Sequence, residues 1–333
     1  MSIILDAIRT VGRGERGRKP LTEQQAFDVM NAFLASKEQS LSEGDEHFIG
    51  DDQMAMLLML IRVQNETKEE VAGFVKAFQS RMPTIGADID WPCYAGKRQT
   101  EDGMSLPWHG LAAKILSLNG YKVLLHGYKD KANKRVHVED FLAQLDIPLA
   151  QNPDQAKELL EQHNIAYLPL NHFAPIAEEM IGWRNRYGLR TPINTVVRAL
   201  NPGAARLGVR GSFHPGFQQL HAEVDQVIDR KSLSVISYKG QNGESEYNPK
   251  VSQTVWLSSE SGVESFYWPE AMKEDLPLPS TNIFETNILD SNTPINSQMA
   301  SIVVASMAAV LFAQCKDEQQ AYKQALNYWK GFV

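Results

Sequence analysis

Hydrophobic positions in the first eighty residues recur with the period of a helix. Met54, Leu57, Leu58 and Ile61 fall at i, i+3, i+4 and i+7, which puts them on one face. Two four-residue stretches, Thr22 to Gln25 and Thr67 to Glu70, have the form of capping boxes. In each, a threonine hydroxyl accepts from a backbone N–H three residues on, and that residue's side chain returns the bond. The first precedes Ala26, Met30, Phe33 and Leu34; the second precedes Val71, Phe74, Val75 and Phe78. The polar, acidic segment from Ser36 to Gly50 separates two of these helices and is expected to be a mobile insertion.

Beyond Met82-Pro83 short apolar runs alternate with helical stretches, the pattern of an α/β region with a largely parallel sheet. Strands are expected at 121–126 and 233–238, and helices at 106–119, 138–145, 155–163 and 215–228. Ligands of open α/β sheets bind beyond the carboxyl ends of the strands. That rule sets Cys93 to Arg98, His126 to Arg135 and Lys239 to Glu246 on one rim. The nearly apolar run Met299 to Ala313 holds two serines and falls short of the roughly 20 residues of a membrane span, so it reads as a buried helix. The predicted fold class is α/β: a helical N-terminal lobe, residues 1–80, followed by a large α/β domain, residues 81–333, with a mostly parallel central sheet.

With 333 residues, 43% hydrophobic and 22% charged, the chain can bury a sizeable core and is neither fibrous nor largely disordered in composition. Two cysteines, Cys93 and Cys315, form neither a disulfide framework nor a zinc-ligand spacing. The N-terminal residues have an acid within their apolar stretch and no basic lead, unlike a secretory signal, so a reducing cytoplasm is the expected compartment and no membrane is expected as partner.

Charge changes the picture more. The net charge is -7, yet basic residues gather at Arg9, Arg13, Arg16, Arg18 and Lys19 against Glu15, and at Lys129, Lys131, Lys134 and Arg135 against Asp130. Acidic excess lies at 38–52 and at 260–275, where Glu274 and Asp275 close the run. From Arg184 to Arg210 there are six arginines (Arg184, Arg186, Arg190, Arg198, Arg206, Arg210) and no acid. Guanidinium groups grip phosphate and carboxylate oxygens in forked bonds, so arginines without acidic neighbours suggest an anionic ligand.

The pattern Arg-x-x-x-Gly-x-Arg-Thr-x-x-Asn from Arg184 to Asn194, followed by Leu200-Asn201-Pro202, resembles a signature of the anthranilate phosphoribosyltransferase superfamily. The resemblance implies the fold shared with the related nucleoside phosphorylases, and it covers nearly the whole chain. It also sets out three phosphate and metal elements, each altered here. The family's Gly-Thr-Gly-Gly-Asp loop corresponds to Asp90 to Thr100, where Gly96 is the remaining glycine and Lys97 and Arg98 follow it. The family's Lys-His-Gly-Asn-Arg corresponds to Leu125 to Lys129, which keeps His126 and Gly127 and ends in Lys129. At the family's magnesium-binding Asp-Glu pair stand Ser245 and Glu246, leaving one remnant carboxylate. Arg184 matches the arginine that engages the carboxylated aromatic substrate.

Five short motifs in order, at 11–14, 94–98, 183–190, 214–215 and 248–249, resemble the YbiB-type nucleic-acid-binding proteins of the same superfamily. On that resemblance the chain is expected to be a non-catalytic homodimer, joined through the helical lobe with help from a helical segment near 172–190. It would bind nucleic acid, single-stranded and without sequence preference, through Arg9, Arg13, Arg16, Arg18, Lys19, Arg184, Arg186 and Arg190. No catalytic residue, cofactor or metal belongs to that reading. The alternative is a phosphoribosyltransferase or other glycosyltransferase acting on a small carboxylated or aromatic acceptor, with Mg²⁺ as its cofactor.

Overall fold

A computed structural model describes residues 2–14, 16–100, 105–130, 134–228, 233–271, 276–279 and 296–333. Glu15, Lys131, Glu274 and Asp275, counted above in the charge runs, lie outside the described residues.

Four helices open the chain: α1 (Ile3–Gly12), α2 (Glu23–Glu38), α3 (Asp51–Val63) and α4 (Lys68–Gln79). Both capping boxes form. The Gln25 N–H donates to Thr22 Oγ1 at 3.2 Å and the Glu70 N–H to Thr67 Oγ1 at 3.2 Å. Glu70 also accepts the Leu21 N–H at 3.0 Å, so the start of α4 fixes the approach to α2. Its burial pushes the carboxyl above the ordinary range, against the bonds from Thr67 and Leu21 that favour the charge. The acidic segment between α2 and α3 is tied at its ends: Ser36 and Ile49 are buried, and the Ile49 N–H donates to Ser36 Oγ at 3.1 Å.

The α/β part contains β1 (Ile89–Cys93), β2 (Lys97–Arg98), α5 (Trp108–Leu118), β3 (Val123–Gly127), β4 (Arg135–Val136), α6 (Pro153–His163) and β5 (Ile165–Pro169). The chain then returns to the helical bundle with α7 (Pro175–Gly182), α8 (Arg184–Tyr187) and α9 (Ile193–Val196), where Trp183 meets Phe33 of α2 edge to face. It goes back to the sheet with β6 (Leu207–Ser212), α10 (Phe217–Ile228), β7 (Ser234–Lys239), β8 (Gln253–Ser259) and β9 (Gly262–Trp268), and ends in α11 (Ser297–Cys315) and α12 (Glu318–Phe332).

The main sheet has the order β5-β3-β1-β6-β7-β8-β9. The first five strands in that order are parallel, and β8 and β9 add antiparallel edges. Alternation along the strands feeds two cores. Val123, Leu125, Ile165 and Tyr167 join α5, α11 and α12, whereas Leu124, Ala166 and Leu168 face the helical bundle. Among the described residues α11 is the one helix long and apolar enough to cross a membrane, and 83% of its apolar window is buried inside the protein. An all-round apolar helix of this kind is expected between a sheet and a covering helix.

One expected helix does not form as such. Residues 138–145 keep helical apolar spacing but form only a short 3-10 turn, Val138–Phe141, followed by further turns. The Leu145 N–H still reaches the Phe141 carbonyl at 3.0 Å, and the run then ends at Asp146, which adopts a positive φ of 49° two residues before Pro148.

The chain leaves β1 to build β3 and β5 on one side, then returns to build β6 and β7 on the other. The carboxyl ends of β1 and β6 therefore flank the point where the order reverses. Open parallel sheets place their ligand crevice there.

Candidate functional site

Beneath the crevice lies a buried chain of charges. Arg210 on β6 donates from Nη1 to Asp90 Oδ2 on β1 at 2.6 Å and from Nη2 to Asp225 Oδ1 on α10 at 3.2 Å. His126 Nε2 on β3 is 2.9 Å from the other Asp90 oxygen, and Tyr94 Oη is 2.8 Å from His126 Nδ1. Burial would raise the Asp90 carboxyl, but its contacts with His126 and Arg210 outweigh it and hold it below the ordinary range. An ionised Asp90 fixes the imidazole proton on Nε2, which leaves Nδ1 to accept the Tyr94 hydroxyl. Burial, then the charges of Asp90 and Cys93, push that hydroxyl well up. The line Tyr94-His126-Asp90 can therefore carry a proton inward from the crevice as a neutral hydroxyl gives it up.

Above this line the crevice is lined with arginine. One hollow of about 70 Å³ is walled by Arg62, Arg190, Arg198, Asn194, Phe213 and His214. A second of about 30 Å³ adjoins it and adds Tyr94, Tyr128, Arg184 and Asn185. Arg62 comes from the last turn of α3, so the helical bundle supplies one wall. It pairs with the buried Glu66 at 2.8 Å and stacks over Phe217, 5.0 Å from the ring centroid. Arg135 donates to the Ala95 and Gly96 carbonyls at 3.1 and 2.8 Å, which spans the loop after β1. Arg184 and Arg190 have no ion pair among the described residues. Burial lowers the Arg190 guanidinium to about 10, helped by the like charges of Arg184, Arg198, Arg135 and Arg62. Such mutual repulsion is what an anion in the crevice would relieve.

The loop after β1 is filled by its own side chains. Gly96 has φ +63°, and a Cβ there would lie 2.5 Å from His137 Nε2. Its N–H donates to Glu244 Oε1. Lys97 points into the protein, fully buried, with Nζ 2.5 Å from Glu246 Oε1 and 2.6 Å from the Leu106 carbonyl. The other Glu246 oxygen meets the His109 N–H and Nδ1, each at 3.0 Å. Burial would raise the Glu246 carboxyl, but Lys97 and His109 hold it below the ordinary range. Ser245 Oγ accepts the Gly211 N–H at 3.1 Å. Magnesium needs several carboxylate or water oxygens in octahedral geometry. One carboxylate already neutralised by a lysine, beside a serine turned to the backbone, does not fit that ion.

The residues singled out in the sequence divide accordingly. Arg184, Arg190 and Arg98 come together around Arg135, and Arg98 and Arg184 both lower its guanidinium after burial has done so. Arg186 does not join them: it faces Asp51 at 3.7 Å and stacks on Tyr187. His126 is buried in the relay, and Gly127 is required for packing, since a Cβ there would lie 2.3 Å from the Cys93 carbonyl oxygen. Lys129 pairs with Asp140. Arg13, Arg16, Arg18 and Lys19 are exposed beyond α1, none of them lines the crevice, and Arg9 lies 3.6 Å from Asp6. The absence of acids between residues 184 and 210 misleads at Arg210, whose partners Asp90 and Asp225 come from other elements. Sequence reasoning set Tyr94 on the rim and Asn194 in the arginine motif without giving either a role, and it missed Arg62 as a crevice residue. Arg62 sits on an amphipathic helix like any surface arginine, and no local pattern marks it.

A bundle joined to a mostly parallel sheet, with an anion-attracting crevice at the switch point, defines a glycosyltransferase-type scaffold. Residues 5–82 match the helical bundle domain of a glycosyl transferase family. The chain is 27% identical over 315 residues to anthranilate phosphoribosyltransferase of Geobacillus kaustophilus, covering 90% of this chain and 86% of the relative. It is 30% identical over 209 residues to that of Bacillus caldotenax, covering 62% of this chain and 79% of the relative. A Geobacillus stearothermophilus relative, also 30% identical, is matched over 61% of its own length. The chain belongs to the anthranilate phosphoribosyltransferase family. Among solved structures, the enzyme of Thermus thermophilus superposes with a TM-score of 0.70 at 18% identity over 99% of this chain and 94% of that one. The Saccharomyces cerevisiae enzyme in complex with PRPP and Mg gives 0.69 at 14% identity, covering 98% and 92%. Both likenesses establish the fold.

These relatives correct the main functional expectation. They are phosphoribosyltransferases, and none supports nucleic acid as a partner or a closer kinship with the YbiB-type proteins. The expectation of a protein without chemistry falls with it.

Proposed function

We propose that the chain is a phosphoribosyltransferase-class enzyme that moves a glycosyl group from an anionic donor to a small carboxylated or aromatic acceptor in the arginine crevice. The convergence of Arg62, Arg184, Arg190 and Arg198, with Asp130 the one acid on their walls and no ion pair at Arg184 or Arg190 among the described residues, carries the reading. In such a transfer the bond from the sugar carbon to the leaving diphosphate breaks as the acceptor nitrogen bonds that carbon. Guanidiniums already fixed around the crevice stabilise the charge that develops on the leaving group. The acceptor proton passes to Tyr94 Oη as the tyrosine's own proton moves to His126 Nδ1, and Asp90 stabilises the imidazolium.

The donor would be held by side-chain guanidiniums, because the loop after β1 no longer presents bare backbone or a carboxylate pair for magnesium. The crevice volume of about 70 Å³ is well below the roughly 300 Å³ of small-molecule sites, so the crevice must widen to admit a ligand. The helical lobe, residues 1–80, is on this reading also the unit of homodimerisation, through exposed Ile3, Leu5 and Met56 on α1 and α3.

Calorimetry with 5-phosphoribosyl diphosphate and with anthranilate, each with and without MgCl₂, tests the proposal alongside an assay for released pyrophosphate. Binding of the donor that persists without magnesium, with pyrophosphate release on adding acceptor, is the expected result. No heat from either compound and no pyrophosphate would overturn it. Light scattering of the wild type and of Leu5→Glu/Met56→Glu tests the dimer, which the pair of acids should split.

A further inference from the structure

Three side chains from different elements meet under the crevice floor. Cys93 ends β1, His109 stands in the first turn of α5, and Glu244 lies in the loop after β7. The Cys93 sulfur, a His109 ring nitrogen and a Glu244 carboxylate oxygen all lie within 4.8 Å of one another. Their residues are 2%, 1% and 2% exposed, so bulk water does not reach them.

Two of the three end in atoms with no partner. Among the described residues, His109 Nε2 and Glu244 Oε2 are buried and make no hydrogen bond. Native proteins leave few such atoms, because each forfeits its hydration without return. The Cys93 sulfur has only a weak 3.5 Å contact to the Trp91 carbonyl among the described residues. Yet the opposite atoms of the same groups are held firmly. His109 Nδ1 is fixed by Glu246 at 3.0 Å, and Glu244 Oε1 receives the Gly96 N–H. A histidine gripped by a carboxylate on one nitrogen and bare on the other is the arrangement that orients metal-binding imidazoles.

We propose that Cys93, His109 and Glu244 bind a divalent cation of the zinc class, with Glu246 and the Gly96 N–H holding the ligands from behind. One sulfur, one nitrogen and one oxygen donor suit a borderline-soft ion and are wrong for magnesium or calcium, which take oxygens. Tetrahedral bonds of about 2.0–2.3 Å set ligand atoms about 3.5 Å apart, so closure asks for movements of about 1 Å. The fourth position is left for a small exogenous ligand. Binding replaces the S–H bond of Cys93 with a sulfur–metal bond and releases one proton to solvent. Because the thiolate is the ligand and binding releases its proton, affinity rises with pH. This site shares no ligand with Ser245 and does not depend on the transferase reading.

The test uses the full chain, stripped with chelator, then both titrated with CoCl₂ and refolded in its presence so that entry to a buried site is not limiting. The expected result is one equivalent of cobalt, a thiolate-to-cobalt charge-transfer band with tetrahedral visible bands, displacement by ZnCl₂ and none by excess MgCl₂. Cys93→Ser should lose the charge-transfer band, His109→Gln should weaken affinity about tenfold or more, and Cys315→Ser should change neither. Wild-type protein without the band after refolding overturns the proposal whatever the variants do. A band that survives Cys93→Ser, or vanishes in Cys315→Ser, overturns it as well.

Discussion

Asp90 and Arg210 face each other from adjacent parallel strands, oxygen to nitrogen 2.6 Å apart, with both residues all but sealed from solvent. Arg210 also holds Asp225, so one guanidinium compensates two buried carboxylates. Removing it leaves both without a cation. Arg210→Met should destabilise the protein by about 3–5 kcal/mol in denaturant unfolding at neutral pH. Replacing Asp90 and Asp225 by asparagine in the same chain should recover part of that loss. A single-variant loss too small to measure would mean the three charges are hydrated in solution.

Burial lifts the Asp225 carboxyl to about 6, even though Arg210 pulls it down. Because the folded value lies above the unfolded one, this group's contribution is greatest below the unfolded value near 3.8 and is lost as pH rises through the folded value. The melting-temperature advantage of wild type over Asp225→Asn should therefore shrink from pH 4 to pH 6 and then level off. A difference that grows over that interval contradicts the assignment.

Repulsion among the crevice arginines makes Arg190 a residue whose loss should separate binding from stability. Arg190→Ala should weaken pyrophosphate or anthranilate binding roughly ten- to a hundredfold, the worth of a hydrogen bond to a charged group. Its melting temperature should stay level or rise, since a strained like-charge cluster is relaxed. Calorimetry and differential scanning on the same samples decide this, and equal losses in both would make Arg190 a structural residue.

Gly211 is fixed by close approach. A Cβ on it would lie 2.0 Å from the Glu244 carbonyl oxygen, a backbone atom that cannot rotate aside. Gly211→Ala should cost about 1–3 kcal/mol and push the 240–246 loop off Gly96. Amide exchange at Gly96 is the sensitive probe, and unchanged protection there would show that the loop has room.

Much of the scaffold was legible because it is written locally. Threonine three residues before Gln25 or Glu70 fixes a helix start, and Tyr121 to His126 is apolar enough to demand a strand buried on both faces. The rim also followed, since β1, β3 and β7 end where the parallel-sheet rule puts them. The site was harder, because its electrostatics are made across long separations. Lys97 reads as a phosphate-facing lysine until Glu246, 149 residues away, is seen to turn it inward. Arg210 reads as free until Asp90, 120 residues away, arrives. The antiparallel strands β8 and β9 were missed for another reason. Residues along β9 are largely half-exposed, so its alternation carries little apolar contrast.

The Lys97–Glu246 pair bears on how this protein can change by inheritance. Losing Lys97 strands the Glu246 charge in the core, and losing Glu246 strands the lysine, so either single substitution yields a weaker protein than the one it came from. A route from this chain to a glycine-rich loop must alter both residues at once or pass through that weaker intermediate. Selection thus meets the two positions as one heritable unit, and the crevice they underlie is held in its present form by a barrier in sequence space.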